Sequence, residues 1–359
     1  MAPLGLAHCS KKPVAKGSCV PVFQRSKFAM KAVWPGLFLS VAIAVFSFAV
    51  ARQLPFISAV LLAVLTGMLL ASTLHIEPVL AVGTAFAARR LLRVGVVLLG
   101  VRLTFSDVAA IGVPAFVAVV AAMSIVALTT AVLARLCNVP VGLATLLGVG
   151  TAVCGNSAIL ATAPVIDARA KDVTFAVAVI TVSGTVALVT FPLIAAMFNV
   201  SDTVFGFFAG IAINDTAQVV AAGAAYSPQA LEVATVVKLL RNTLMAPLIV
   251  IIAIVQAFTS RRGVNTSETV FVSAVKAFPL FVAGFLGVVL LRSVGVIPVS
   301  VVAPLSFVST GLITVAVAAV GLSTDVRTFR RIGFGSAVVG FGAALVLAVV
   351  GFVFALRLG

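Results

Sequence analysis

The chain has 359 residues, of which 62% are apolar and only 9% charged; 24 Lys and Arg against 9 Asp and Glu give a net charge of +15. A soluble domain is about 45–50% apolar and about 25% charged, so a mean hydropathy of +1.30 excludes a soluble enzyme, a disordered chain and a disulfide-stapled secreted module. What remains is an all-α, polytopic transmembrane bundle. At roughly 20 residues per spanning helix the length holds about ten to twelve spans and almost no extramembrane domain.

Residues 1–31 form a basic N-terminal segment carrying Lys11, Lys12, Lys16, Arg25, Lys27 and Lys31, and residues 32–359 form the transmembrane domain. The first apolar run is span-length and lacks a small-x-small cleavage site, so it reads as an uncleaved signal-anchor. The apolar runs predict spans at 32–52, 55–74, 79–104, 108–135, 140–166, 172–198, 203–225, 229–258, 269–291, 297–322 and 330–356. Eleven spans put the N-terminus in the cytoplasm of a bacterial cell and the C-terminus outside the plasma membrane. Further basic residues read as short inter-span loops: Arg89, Arg90 and Arg93; Arg135; Arg261 and Arg262; Arg327, Arg330 and Arg331. This is the positive-inside bias, so the pI of 11.1 reports topology and not a nucleic-acid partner. Arg169 and Lys171 run against it: either the outer side tolerates them or the fifth span does not cross fully.

Cys9, Cys19, Cys137 and Cys154 have no paired spacing, and the histidines are His8 and His75. No zinc site can be assembled from them, and neither a metal nor a cofactor is expected. Cys9 and Cys19 fall in a reducing cytoplasmic segment, which argues against a disulfide. Gly100–Gly112 and Gly321–Gly333 share length, terminal glycines and an Ile before the last one, an echo expected of a transporter built from internal repeats.

Two segments interrupt the helical pattern. Gly148-Val-Gly-Thr151-Ala-Val-Cys-Gly155-Asn156-Ser157 lies inside the fifth span, and Gly210-Ile-Ala-Ile-Asn214-Asp215-Thr216-Ala-Gln218 inside the seventh. Irregular backbone at membrane depth is tolerated only when buried in protein or lining a wet cavity, and paired discontinuous helices point to a transporter's binding site. The glycines alone are equally explained by close helix packing; an acid and several amides are not. Asp215 lies twelve residues into its span, about 18 Å of rise, so it must be paired, protonated or wet.

On the eighth span Glu232, Thr235, Lys238 and Asn242 share a helical arc of about 120°, with Arg241 roughly 60° further round. Lys238 and Arg241 lie too deep to snorkel easily. One alternative is a structural ion pair from Asp215 to either cation. The favoured one lets one cation neutralise Asp215 while the other, with the amides of the breaks, holds an anion. The half-helix starting near Asn156 would add free N–H groups and the positive end of its dipole, with the hydroxyls of Thr151 and Ser157. Cys154 reads as a packing residue.

The strings Gly150-Thr-Ala-Val-Cys-Gly-Asn-Ser-Ala158, Asp215-Thr-Ala-Gln-Val-Val-Ala-Ala-Gly223 and Val237-Lys-Leu-Leu-Arg-Asn242 closely resemble the YeiH family of bacterial inner-membrane proteins. The similarity runs from about residue 32 to the C-terminus. The family has no established activity and is labelled as sulfate exporters by analogy. It is grouped loosely with cation–proton antiporter-like folds, which use broken, crossing helices and a midplane Asp. Asn156-Ser157 is more polar than the small residues of many members.

Together these readings predict a secondary transporter and no enzyme. Its cargo is a small anion, sulfate or a related oxyanion, coupled to H⁺ or Na⁺. Thr151, Asn156, Ser157, Gln218, Lys238, Arg241 and Asn242 are the expected substrate-binding residues, and Asp215 with Asn214 and Thr216 the coupling-ion site. The alternative is a cation/proton antiporter using Asp215. An enzyme is disfavoured because the spans hold no His, no paired acids and no Gly-Lys-Ser/Thr phosphate loop. The expected partners are the anion, the coupling ion and the lipid bilayer, with a homo-oligomer left open.

Overall fold

The computed structural model describes residues 22–53, 58–73, 78–259, 280–324 and 334–359. All secondary structure among them is helical, the solution that satisfies every backbone N–H and C=O without water. The leader's basic side chains and Cys9, Cys19, His8, His75, Glu77, Arg261, Arg262, Glu268, Lys276, Asp325, Arg327, Arg330 and Arg331 lie outside the described residues, as does 325–333 of the internal echo.

The helices in chain order are α1 (Val22–Gln53), α2 (Ala59–Thr73), α3 (Pro78–Phe86), a π-turn (Ala87–Leu91), α4 (Leu92–Leu99), a 3₁₀ turn (Gly100–Arg102), α5 (Phe105–Leu136), α6 (Val141–Ala152), α7 (Asn156–Thr162), α8 (Ala170–Met197), α9 (Asp202–Ala212), α10 (Thr216–Tyr226), α11 (Pro228–Thr243), α12 (Met245–Thr259), α13 (Leu280–Ser293), α14 (Val299–Leu322) and α15 (Phe334–Leu358). Local sequence fixes several starts. Thr104 and Asp107 form a reciprocal capping box on α5. Ser201 caps α9, and Ser227 caps α11 ahead of Pro228 at its first turn. Among the described residues, six helices are long and apolar enough to cross a membrane: those at 33–53, 105–136, 170–197, 228–256, 299–322 and 335–358. Because α1 already begins at Val22, the expected boundary at residue 32 falls within a continuous helix.

The expected fifth and seventh spans do not run through. A straight helix separates residues nine apart by about 13 Å, yet a Cβ on Gly150 would lie 2.9 Å from Ile159 Cδ1. The chain reverses at Gly155, whose φ of +65° is open to glycine at little cost. The segment after α7 then returns to the start of α6 and the α5–α6 connection: Ala163, Ile166 and Ala168 share one apolar cluster with Leu143, Val139 and Cys137. The second reversal is clearer still. Residues 21 apart on one helix are about 31 Å distant, but the rings of Phe205 and Tyr226 stack at 4.2 Å. Tyr226 donates to the Val200 carbonyl, and Gln229 to Thr203 at 3.1 Å. Both segments are therefore re-entrant hairpins, α6–α7 and α9–α10, and at most nine of the eleven expected segments cross. Arg169 and Lys171 return to the end of the molecule that holds Arg135.

The helices sort into two bundles. In one, α1, α2, the α3–α4 segment, α13 and α14 pack together; in the other, α5 to α12 and α15. Glycine pairs draw the first bundle tight. A Cβ on Gly36 would sit 2.2 Å from the Leu80 carbonyl and one on Gly83 2.2 Å from that of Val33, while Gly67 and Gly321 face each other on α2 and α14. This is small-residue packing as membrane helices use it. α10 contacts α2 and α14 and so touches both bundles.

Candidate functional site

The hairpins approach from opposite ends of the second bundle and meet tip to tip. A Cβ on Gly155 would be 3.5 Å from both Cα and Cβ of Asp215. Each tip exposes the C-terminal carbonyls of its first half-helix, which lack intrahelical partners, and those ends carry partial negative charge. Lys238 and Arg241, 0% and 1% exposed on α11, answer them. Lys238 Nζ donates to the carbonyls of Val153 (2.8 Å), Ile213 (3.0 Å) and Asn214. Arg241 donates to Thr151 (2.8 Å), Ala152 (2.9 Å), Gly210 (3.2 Å), Ile211 and Ile213 (3.1 Å).

Lys238 and Arg241, expected to bind the anion, donate here to backbone carbonyls of the two tips. The ion pairs among the described residues are Arg102–Glu232 and Arg169–Asp172; neither includes Asp215. Asp215 instead caps α10, its Oδ1 accepting from the Ala217 N–H at 2.9 Å.

The amides of the breaks turn toward α8. Asn156 Nδ2 donates to Thr181 Oγ1 at 3.0 Å, Asn214 Nδ2 to Ser183 Oγ at 3.2 Å, and Gln218 Nε2 to the Thr181 carbonyl and Thr185 Oγ1, both at 3.2 Å. Gln218 fits because α8 has Gly184 there, where a Cβ would lie 2.0 Å from Oε1. Asn242 Nδ2 reaches Thr216 Oγ1 at 3.2 Å. The side-chain amide oxygens of Asn214 (Oδ1), Gln218 (Oε1) and Asn242 (Oδ1) have no partner among the described residues.

A cavity of about 410 Å³ opens beside the meeting point, between the two bundles. Asn156, Ser157, Asp215, Thr216 and Gln218 line it; of the other expected site residues, Thr151, Asn214, Lys238, Arg241 and Asn242 do not. Thr151 is fully buried, its hydroxyl returned to the Leu147 carbonyl at 2.8 Å. The half-helix α7 starts at Asn156, and Asn156 and Ser157 both line the cavity.

The cavity also holds residues not expected there: Thr181 of α8, Ser323 and Thr324 after α14, and above all Arg89 and Arg93. These arginines are not in a loop, because 78–102 is helical throughout and Arg89 sits in its π-turn. A basic cluster in the middle of an apolar run of span length was the signal. Both side chains are exposed at the mouth, and Arg93 lies over the Phe281 ring at 5.8 Å. With Asp215, they are the charged residues of the lining.

The family model described as "Conserved hypothetical protein 698" matches residues 35–340. A UPF0324 membrane protein of Clostridium tetani is 31% identical over 334 residues, covering 90% of this chain and 97% of that one. A UPF0324 membrane protein of Agrobacterium fabrum is 31% identical over 80% of each chain. The UPF0324 inner membrane protein YeiH of Escherichia coli is 36% identical over 190 residues, 52% of this chain and 53% of that one. The YeiH resemblance read from the three motifs is thereby borne out. No solved structure matches the chain.

Proposed function

We propose that this chain, which belongs to the UPF0324 family of membrane proteins, is a secondary transporter that moves a small anion across the bacterial plasma membrane. The observation that carries the reading is the cavity between the bundles, with two arginines at its mouth and one carboxylate where the hairpins meet. Arg89 and Arg93 supply the positive potential that concentrates anions in a cleft. Asn156, Ser157, Thr181 and Thr216 offer hydrogen bonds to a bound oxyanion. Asp215 takes up and releases the coupling ion. Paired half-helices meeting beside the ligand are a recurrent transporter device. Lys238 and Arg241 keep those half-helices in place and do not touch the cargo. The positive-inside bias turns the cavity mouth toward the cytoplasm, since Arg135, Arg169 and Lys171 share its end.

The test is flux of labelled sulfate and methanesulfonate in proteoliposomes under an imposed pH gradient. Asp215→Asn keeps the cap on α10, since Asn caps as well as Asp, and is expected to fold normally while abolishing pH-driven flux. Unchanged coupling in that variant removes Asp215 from the mechanism. The second reading, a cation/proton antiporter, draws on the occupation of Lys238 and Arg241 by carbonyls, which leaves Asp215 as the innermost charge. Protein-dependent Na⁺/H⁺ exchange without anion flux would establish it in place of the first.

A further inference from the structure

Granting the transporter reading above, we infer that the cargo is an organic monoanion with a short aliphatic body, not a bare inorganic oxyanion. The first argument is size. Sulfate fills the room of roughly two or three waters at about 30 Å³ each, a small part of a cavity of about 410 Å³. The second is the division of the walls. The hairpin side is polar, with Asn156, Thr181, Asp215 and Gln218, whereas the facing bundle is divided, with Arg89, Arg93, Ser323 and Thr324 beside an apolar part formed by Leu92 of α4, Phe281 of α13 and Val320 of α14. A small, strongly hydrated ion uses only the charged and hydroxyl part and loses solvent against the apolar part, while an aliphatic chain gains by burial there. The third is charge. Arg89 and Arg93 against Asp215 leave one net positive charge in the described lining; a monoanion neutralises it, and a dianion overshoots it while Asp215 is ionised.

The geometry therefore places a sulfonate or carboxylate head near Arg93, with the body along Phe281 and Val320. Competition for methanesulfonate flux in proteoliposomes of the full chain tests this, using sulfate, straight-chain sulfonates from one to six carbons, and carboxylates of matching length. Each methylene up to about four carbons is expected to tighten competition about threefold to fourfold, with sulfate the weakest competitor. Val320→Thr, nearly isosteric, is expected to flatten the series. Competition independent of chain length, or sulfate equal to butanesulfonate, overturns the inference and leaves the anion-transporter reading intact. Absence of protein-dependent flux for every anion overturns both.

Discussion

Lys238 is fully enclosed at the level of the hairpin tips, where insertion scales charge about 2.5–3.5 kcal/mol for a cation. It is tolerated because three carbonyls, two from the tip of α9–α10 and one from α6–α7, point at its ammonium. Removing the cation would leave the carbonyls of Val153 and Asn214 buried and unpaired, at about 1–3 kcal/mol each, while Ile213 keeps Arg241. Lys238→Met, similar in bulk, is therefore expected to lose at least about 2 kcal/mol of stability, read as a large drop in the thermal midpoint of the purified protein. Arg241→Met should do the same, since its guanidinium spans both tips. A cargo-binding cation would behave oppositely: either variant would fold normally and fail only in transport. Asp215 was visible in the sequence as an acid far from any span end. The partners of Lys238 and Arg241 were not, because backbone carbonyls carry no residue identity and become acceptors only when a helix stops.

The two breaks were legible as elements, from glycines clustered with Asn and Asp inside apolar runs. What the sequence could not give was the direction of the chain after each break. A half-helix that continues and one that doubles back bury similar residues, and only contacts such as Phe205 on Tyr226 separate them. One sequence feature did register the reversal: Arg169 and Lys171 are out of place if the fifth segment crosses and in place if it returns. The hairpins predict a labelling pattern. In a background without native cysteines, Arg135→Cys and Lys171→Cys, both exposed positions, should react with an impermeant maleimide from one side of the membrane. Asn199→Cys and Gln229→Cys should react from the other side. If Arg135→Cys and Lys171→Cys label from opposite sides, α6–α7 crosses and the re-entrant description is wrong.

Across the whole molecule the cleft between the bundles is open at one level and closed at another. The open level holds Arg89, Arg93, Asp215 and Thr324. Nine residues on from Arg93, about 14 Å along the helix, Arg102 bridges the cleft to Glu232 of α11 at 3.5 Å and also donates to Thr310 of α14, in its own bundle, at the same distance. Glu232 stands ten residues before Asn242, about 15 Å of rise, and Asn242 contacts Thr216 beside Asp215, so both bundles place the closure about 14–15 Å along their helices from the residues at the level of the cavity. The pair is long and partly exposed, with side chains 22% and 24% accessible, a setting in which ion pairs contribute about 0.2–1 kcal/mol. Such a pair can favour one state without locking it, as a transporter that exposes its site alternately to two sides requires. A single cysteine in place of Ser157, which lines the cavity, should be labelled in wild type mainly from the cavity-mouth side. Glu232→Gln should raise labelling from the opposite side by up to about fivefold, the equivalent of about 1 kcal/mol. Exchanging the charges, Arg102→Glu with Glu232→Arg, should restore the wild-type ratio. If labelling from the far side is unchanged in Glu232→Gln, the pair is a static contact and the closure lies elsewhere in the interface between α4, α11 and α14.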